Sequence, residues 1–319
     1  RPLPAQVFPL YSASESFRHM AQAKHIGKIV LSALPRRNES LLSETATYLI
    51  TGGLGGLGLL VAEWMVHQGA RNLALVGRRA PSEQIADRLE GLRTAGAKIV
   101  VVTADVSDGI AVRELIQELR RTMPPLKGVI HAAGILDDGI LLQLTEERFQ
   151  AIAAPKIGGA WNLHVCTADV PLDFFVLFSS AASVLGSPGQ GNYAAANAFL
   201  DSLAHYRRSR GLPALSIDWG PWREIGLAAR SDRGGRLAQQ GFGSIGPQEG
   251  LTLLQLLLEQ QERLPAQNAV MPIDRERWPI WPRSTRSPTG PGPACCGTCR
   301  TPSARSRAGW AGPAPVWAA

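Results

Sequence analysis

Four residues of this chain have the types and spacing to reduce a carbonyl. Ser180 and Tyr193 stand thirteen positions apart in "SSAASVLGSPGQGNYAAANAFLD", Asn197 follows Tyr193 by four, and Lys156 precedes it by thirty-seven in "AAPKIGGAWNLH". Adding hydride to a ketone builds negative charge on oxygen. The site therefore needs a proton donor, a second donor to the carbonyl, and a cation that makes the first donor acidic enough. Tyr193 is the candidate acid, and its reference pKa of about 10 calls for that cation. Lys156 is expected on a helix flanking the same sheet edge, from which its ammonium can reach the tyrosine while Asn197 occupies the next turn of the tyrosine's own helix.

A cofactor signal lies upstream. "TGGLGGLG" contributes Thr51, Gly52, Gly53, Gly55, Gly56, Leu57 and Gly58, directly after an apolar run and at the opening of a helical pattern. That context suits a dinucleotide. Gly53 allows the tight turn, Gly55 lets backbone approach a pyrophosphate at the helix N-terminus, and Gly58 permits close packing of helix on sheet. The next apolar run ends in "VGRRAP" with no acid, so Arg78 and Arg79 favour a 2′-phosphate and NADP over NAD. Asp105 and Val106 are placed to flank the adenine. In "HAAG", Ala132, Ala133 and Gly134 leave space beside the ribose and nicotinamide, while His131 reads as a satisfied core histidine.

The elements that must position these residues alternate in period. Strand-like runs occupy residues 47–51, 72–77, 98–106, 126–134, 174–180, 214–220 and 267–273; helical patterns occupy 59–68, 82–95, 108–122, 145–167, 193–210 and 247–262. Strands alternating with helices require parallel pairing through right-handed crossovers. The expected fold is α/β, a doubly wound, mainly parallel seven-stranded Rossmann-type sheet covered on both faces.

Composition bounds the class. The chain of 319 residues is 45% hydrophobic and 18% charged, as in ordinary globular enzymes. Its net charge of +7 includes five arginines in residues 281–319, which hold no acid, so the remainder is near +2 and no nucleic-acid partner is implied. There is no apolar run of membrane-spanning length and no leader pattern at the start, so the cytoplasm is the expected compartment. Three of the four cysteines are bunched in "CCGTC" and the six histidines show no ligand spacing, so no metal is expected. Residues 281–319, rich in Pro, Arg, Ser and Gly, are expected to be disordered. The segment from Arg223 to Gly243 is where a substrate lid is expected. Trp219 and Trp222, flanking Gly220 and Pro221, either wall the substrate entrance or anchor packing.

Taken together, Ser180, Tyr193, Asn197 and Lys156, with "SIDWGPW" and "GFGSIGPQEGL", resemble the ketoreductase domain of modular type I polyketide synthases. In this branch of the short-chain dehydrogenase/reductase superfamily, lysine and asparagine have exchanged places. The resemblance covers roughly residues 45–280, and "FRHMAQAKHIGKIVL" resembles the end of an enoylreductase domain. The implied organisation is an enoylreductase remnant at 1–34, a linker at 35–46, the ketoreductase catalytic domain at 47–280 and a tail at 281–319. The implied roles are proton donation by Tyr193, carbonyl binding by Ser180, acidification of Tyr193 and ribose binding by Lys156, and orientation of Lys156 and a water relay by Asn197.

The implied reaction is NADPH-dependent reduction of a β-ketoacyl thioester on the phosphopantetheine arm of an acyl carrier protein. Leu136, Asp137 and Asp138 match the B-type stereochemical fingerprint. Leu185 stands where A-type domains carry tryptophan, and Ala195 where the epimerising B2 class carries proline, so a B1-type domain with a D-hydroxy product is implied. Gln190, Trp219, Pro221 and Trp222 complete the expected substrate set. The implied partners are the carrier protein, the enoylreductase and dehydratase domains, and a structural subdomain that has no counterpart in this sequence. Two other classes stand beside this reading: a catalytically silent NADP-binding fragment of a synthase, and a free-standing short-chain dehydrogenase for a sugar or steroid.

Overall fold

The computed structural model describes residues 5–9, 13–22, 26–32, 41–225 and 242–273. The expected tail and most of the expected lid lie outside these residues. A small parallel pair, β1 (Ala5–Pro9) and β2 (Lys28–Ser32), is connected through α1 (Ala13–Ala21). The body is a seven-stranded sheet of β3 (Thr47–Thr51), β4 (Asn72–Gly77), β5 (Lys98–Thr103), β6 (Leu126–His131), β7 (Phe174–Ser180), β8 (Leu215–Trp219) and β9 (Gln267–Val270). Its spatial order is β5-β4-β3-β6-β7-β8-β9 and every pairing is parallel. Between β3 and β6 the direction of winding reverses, which opens a crevice at the carboxyl ends of the strands.

Each strand feeds two cores because successive side chains point to opposite faces. Tyr48 and Ile50, Leu73 and Leu75, and Phe174 and Val176 pack under α2 (Gly56–His67), α3 (Glu83–Thr94) and α9 (Pro247–Glu259). Leu49, Ala74, Phe175 and Leu177 pack under α4 (Gly109–Thr122), α6 (Gly159–Cys166) and α8 (Gly191–Ser209). Leu42, expected in the linker, is buried in the first of these cores.

Four of the seven runs end earlier than expected. The strands stop at Thr103, His131, Trp219 and Val270, because the residues after them leave the ladder to build the crevice. The helical pattern at 145–167 is helical throughout, with a change of hydrogen-bonding inside it: α5 (Glu146–Ala153) passes through a π turn at Ala154–Gly158 into α6, and Pro155 has no N–H to continue the ladder of α5. The structure adds a five-residue helix, α7 (Ala181–Leu185), that the periodicity does not predict. Among the described residues no helix is long and apolar enough to cross a membrane.

Gly128 tests the packing of β6 on β7. A Cβ at this position would lie 2.2 Å from Cζ of Phe174, whose ring stacks on Tyr48 at 5.7 Å. Urea denaturation of Gly128→Ala is expected to show a loss of about 1–3 kcal/mol. Gly91, exposed in α3 with nothing within 4 Å of an added Cβ, is the control: Gly91→Ala is expected to gain about 0.5–1 kcal/mol.

Candidate functional site

The glycine-rich turn joins β3 to α2 at the crevice. Gly52 has φ +67°, and a Cβ there would lie 2.8 Å from the backbone of Ala132, so a side chain is excluded twice over. At Gly58 a Cβ would stand 2.2 Å from the carbonyl oxygen of Gly52, so the first turn of α2 rests directly on the loop. Thr51 is buried, and its Oγ1 lies 2.7 Å from Nδ1 of His131. That histidine is enclosed by the backbone of Pro155 and Lys156, and burial with the nearby Lys156 charge pulls its pKa down to about 3, so it is neutral.

A cleft opens beside this turn, lined by Gly52, Arg78, Val106, Ala133, Gly134 and Pro155 among others. Gly53, Gly55, Gly56 and Leu57 complete the loop, and the N-terminus of α2 faces outward with its orphan amides. Arg78 and Arg79 are both exposed at the end of β4. Asp105 lies in the loop after β5; bonds from the Ser107 amide and hydroxyl, with a smaller contribution from Arg78, hold its carboxyl below the usual range. A backbone-lined cleft, an amide-rich helix start and exposed arginines with no competing acid at the strand end fit a nicotinamide dinucleotide.

Lys156 enters from the π turn and is 4% exposed. Its stem crosses Gly134, where a Cβ would approach Cε to 2.9 Å, so the space expected beside the nicotinamide is partly filled by the lysine itself. Its Nζ donates to the carbonyl of Phe178 at 3.0 Å and lies 5.4 Å from the Tyr193 ring centroid. Burial pulls its pKa down to about 7, with Asp201 opposing that shift. Ser180 ends β7 as the N-cap of α7, its Oγ accepting from the amide of Ala182 at 3.2 Å. Tyr193, half-buried, opens the first turn of α8. Asn197 donates to the carbonyl of Tyr193 at 2.7 Å, while its buried Oδ1 has no hydrogen-bond partner among the described residues.

The loop carrying Leu136, Asp137 and Asp138 is stitched to the approach to Tyr193. Gln190 donates to Asp138 at 3.1 Å, Asn192 to the carbonyl of Asp137 at 3.0 Å, and the Gly139 amide to Gly189 at 2.8 Å. Arg148 from α5 donates to Asp137 at 2.9 Å, and this hydrogen bond lowers the pKa of the aspartate. Sequence reasoning misses Arg148; the available signal is a basic residue in the first turn of α5, ten residues after Asp138. Leu185 lies exposed at the end of α7.

Two of the expected substrate residues are corrected. Trp219 is the last residue of β8 and is 5% exposed; Trp222 is 7% exposed. They pack on each other at 5.0 Å, and Trp219 packs on Phe178 at 5.7 Å. Both belong to the core beneath α9, where Trp222 fills the space left by Gly250. They anchor packing. Pro221 between them is half-buried, and its carbonyl accepts from the Ile245 amide at 2.8 Å.

The family model described as "KR domain" matches residues 46–224, more than half of the chain. The chain belongs to the KR domain family. It is thereby a polyketide synthase ketoreductase domain of the short-chain dehydrogenase/reductase superfamily, an oxidoreductase of the ketoacyl-reductase class. The mycocerosic acid synthase-like polyketide synthase of Mycobacterium tuberculosis is 40% identical over 267 residues, 81% of this chain and 12% of that protein. Polyketide synthase GfsB of Streptomyces halstedii is 44% identical over 279 residues, 86% of this chain and 5% of its own length. The chain thus spans a small part of these curated relatives. Among solved structures, an A1-type ketoreductase aligns with TM-score 0.71 and 37% identity over 77% of this chain and 51% of that one. A ketoreductase domain from the bacillaene assembly line aligns with TM-score 0.70 and 32% identity over 84% of this chain and 67% of the other.

Contact between Gly58 and the Gly52 carbonyl gives a test of the cleft. Gly58→Ala must displace the turn, and titration calorimetry is expected to show nicotinamide dinucleotide binding weakened by about tenfold or more, with circular dichroism unchanged.

Proposed function

We propose that this domain reduces a β-ketoacyl thioester, presented on the phosphopantetheine arm of an acyl carrier protein, to the D-β-hydroxyacyl thioester with NADPH. The observation that carries the reading is the buried Lys156 amine 5.4 Å from the Tyr193 ring centroid, one residue after Pro155, which lines the cleft beside the glycine-rich turn. NADPH, when bound, supplies the hydride. The residues of the chain then have separable tasks. Ser180 and the Tyr193 hydroxyl orient the ketone and concentrate donors where negative charge develops. Tyr193 passes its proton to the nascent alkoxide. Lys156 stabilises the resulting phenolate by its charge and holds the ribose side of the cleft. Asn197, whose Oδ1 is free to accept, anchors a water that returns a proton to the site.

Preference for NADPH rests on Arg78 and Arg79, which stand exposed at the strand end where an acid would otherwise bind a 2′-hydroxyl. The D configuration rests on the Leu136–Asp138 loop, which Gln190 and Arg148 tie beside the tyrosine, and on Leu185 and Ala195. The partner reading extends to neighbouring synthase domains: an enoylreductase, for which the β1-α1-β2 piece is the closing segment, a dehydratase, and a ketoreductase structural subdomain.

NADPH oxidation with a β-ketoacyl N-acetylcysteamine thioester tests the reaction. Turnover is expected to fall by about 100-fold or more in Tyr193→Phe; equal rates for the two proteins would remove the tyrosine from the mechanism. Chiral chromatography of the product is expected to return the D-alcohol, and an L product would overturn the stereochemical assignment. Arg78→Ala is expected to weaken NADPH binding by about tenfold and NADH binding little, since only the former carries the 2′-phosphate.

A further inference from the structure

The helix that carries Tyr193 begins without a cap of its own. Gln190, at the N-cap of α8, makes no side-chain capping bond and donates its amide instead to the Asp138 carboxylate at 3.1 Å. The chain leading into the helix is permissive: Gly186 and Gly189 have φ of +71° and +78°, and Gly191 is the first helical residue. Amides in a first helical turn have no partner within the helix, so a proton donor placed there depends on support from outside. Asn192 provides it. This residue is 1% exposed; its Oδ1 accepts from the Tyr193 amide at 2.8 Å, and its Nδ2 donates to the Asp137 carbonyl at 3.0 Å. The Gly139 amide bonds the Gly189 carbonyl at 2.8 Å, so residues 137–139 are joined to residues 189–193 by side chains and backbone alike.

The segment 137–143 is in turn folded around one guanidinium. Arg148 stands in the first turn of α5, behind the Thr145 N-cap. Its Nε donates to Asp137 Oδ2 at 2.9 Å and its Nη2 to Oδ1 of the same carboxylate; Nη2 also donates to the Asp138 carbonyl at 2.7 Å, and Nη1 to the Gln143 carbonyl at 3.1 Å. Gly139 lies against the fork, where a Cβ would stand 2.6 Å from Nη1. An ion pair whose side chains are 29% and 36% exposed contributes little by charge alone. What distinguishes this one is geometry: one rigid planar group holds a carboxylate at two points and two backbone carbonyls besides.

We propose that Arg148 is a positioning residue for the reduction: by folding the segment 137–143 it fixes the carbonyl that Asn192 grips, and through Asn192 the place of Tyr193 at the start of α8. This rests on the reading of Tyr193 as the proton donor. Arg148 meets neither substrate nor cofactor in that reading.

Two measurements on the full chain test the proposal and keep it apart from that reading. Amide exchange followed by NMR, without substrate, is expected to run about tenfold or more faster at Tyr193 and Ala194 in Arg148→Met than in the wild type, with the later turns of α8 unchanged. Unchanged exchange at both residues would overturn the proposal whatever the turnover. Asn192→Ala, which cuts the same tie at its other end, is expected to speed that exchange as well, and adding Arg148→Met to it to change little more; additive increases would overturn the route through Asn192. With NADPH and a β-ketoacyl N-acetylcysteamine thioester, Arg148→Met is expected to lower kcat by about tenfold and to leave NADPH affinity in place. On a Tyr193→Phe background the same change is expected to cost less than about twofold, since what it displaces is the tyrosine. An equal fall on both backgrounds is the mark of a merely structural role and would overturn the proposal. Arg148→Lys keeps the charge without the fork, is expected to behave as Arg148→Met in both measurements, and takes its place should that variant not fold. Absence of turnover in the wild type would count against the reductase reading alone and leave the exchange result to decide.

Discussion

Everything at the carboxyl edge of this sheet is arranged around one buried ammonium. Lys156 is 4% exposed and burial pulls its pKa down to about 7, yet its side chain must reach the face of the Tyr193 ring. Four local features make that possible. Pro155 breaks the helical ladder and forces a π turn, Gly134 gives up its side chain to the lysine stem, Gly159 lets α6 close on Val106 and His131, and the Phe178 carbonyl accepts from Nζ. Their common consequence is a cation held dry, where its field on the tyrosine is stronger than in water.

The fold supplies the frame within which this is possible. Reversal of winding between β3 and β6 opens the crevice, and the parallel pairing of β6, β7 and β8 sets the HAAG turn, Ser180 and Asp218 in adjacent positions along one edge. α8 then crosses that edge with Tyr193, Asn197 and Asp201 on its inner face. Tyr193, Ser180 and the buried Asp201 and Asp218 are thus carried by one helix and two neighbouring strands, while Lys156 comes from the π turn. In the loop after β6, Asp137 and Asp138 are tied to Arg148 and Gln190.

Much of this is legible from residue types. The strand cores at 47–51, 72–77 and 174–180 announce themselves because parallel strands buried on both faces are continuous apolar runs. The glycine turn is legible because its spacing has few other uses. Less legible is whatever depends on tertiary direction. Periodicity runs straight through Pro155 and merges α5 with α6, since both halves keep an apolar face. α7, at five residues, is too short to show a period. Trp219 and Trp222 carry no local mark of which way they point, and they face the core. Asp201 and Asp218 escape sequence reasoning although a signal exists: an acid inside the apolar strand "SIDW", and another extending the four-residue spacing of Tyr193 and Asn197.

The central claim is that this edge of the sheet delivers a hydride to a ketone under control of Tyr193 and Lys156. The most direct measurement is mass spectrometry of the product formed from a β-ketoacyl thioester and NADPH deuterated at C4 of the nicotinamide. One deuterium on the carbinol carbon, present with the wild type and lost with Lys156→Met, is the expected result. Binding of the labelled cofactor without any transfer of deuterium to substrate would contradict the claim and leave a dinucleotide-binding domain that does not catalyse reduction.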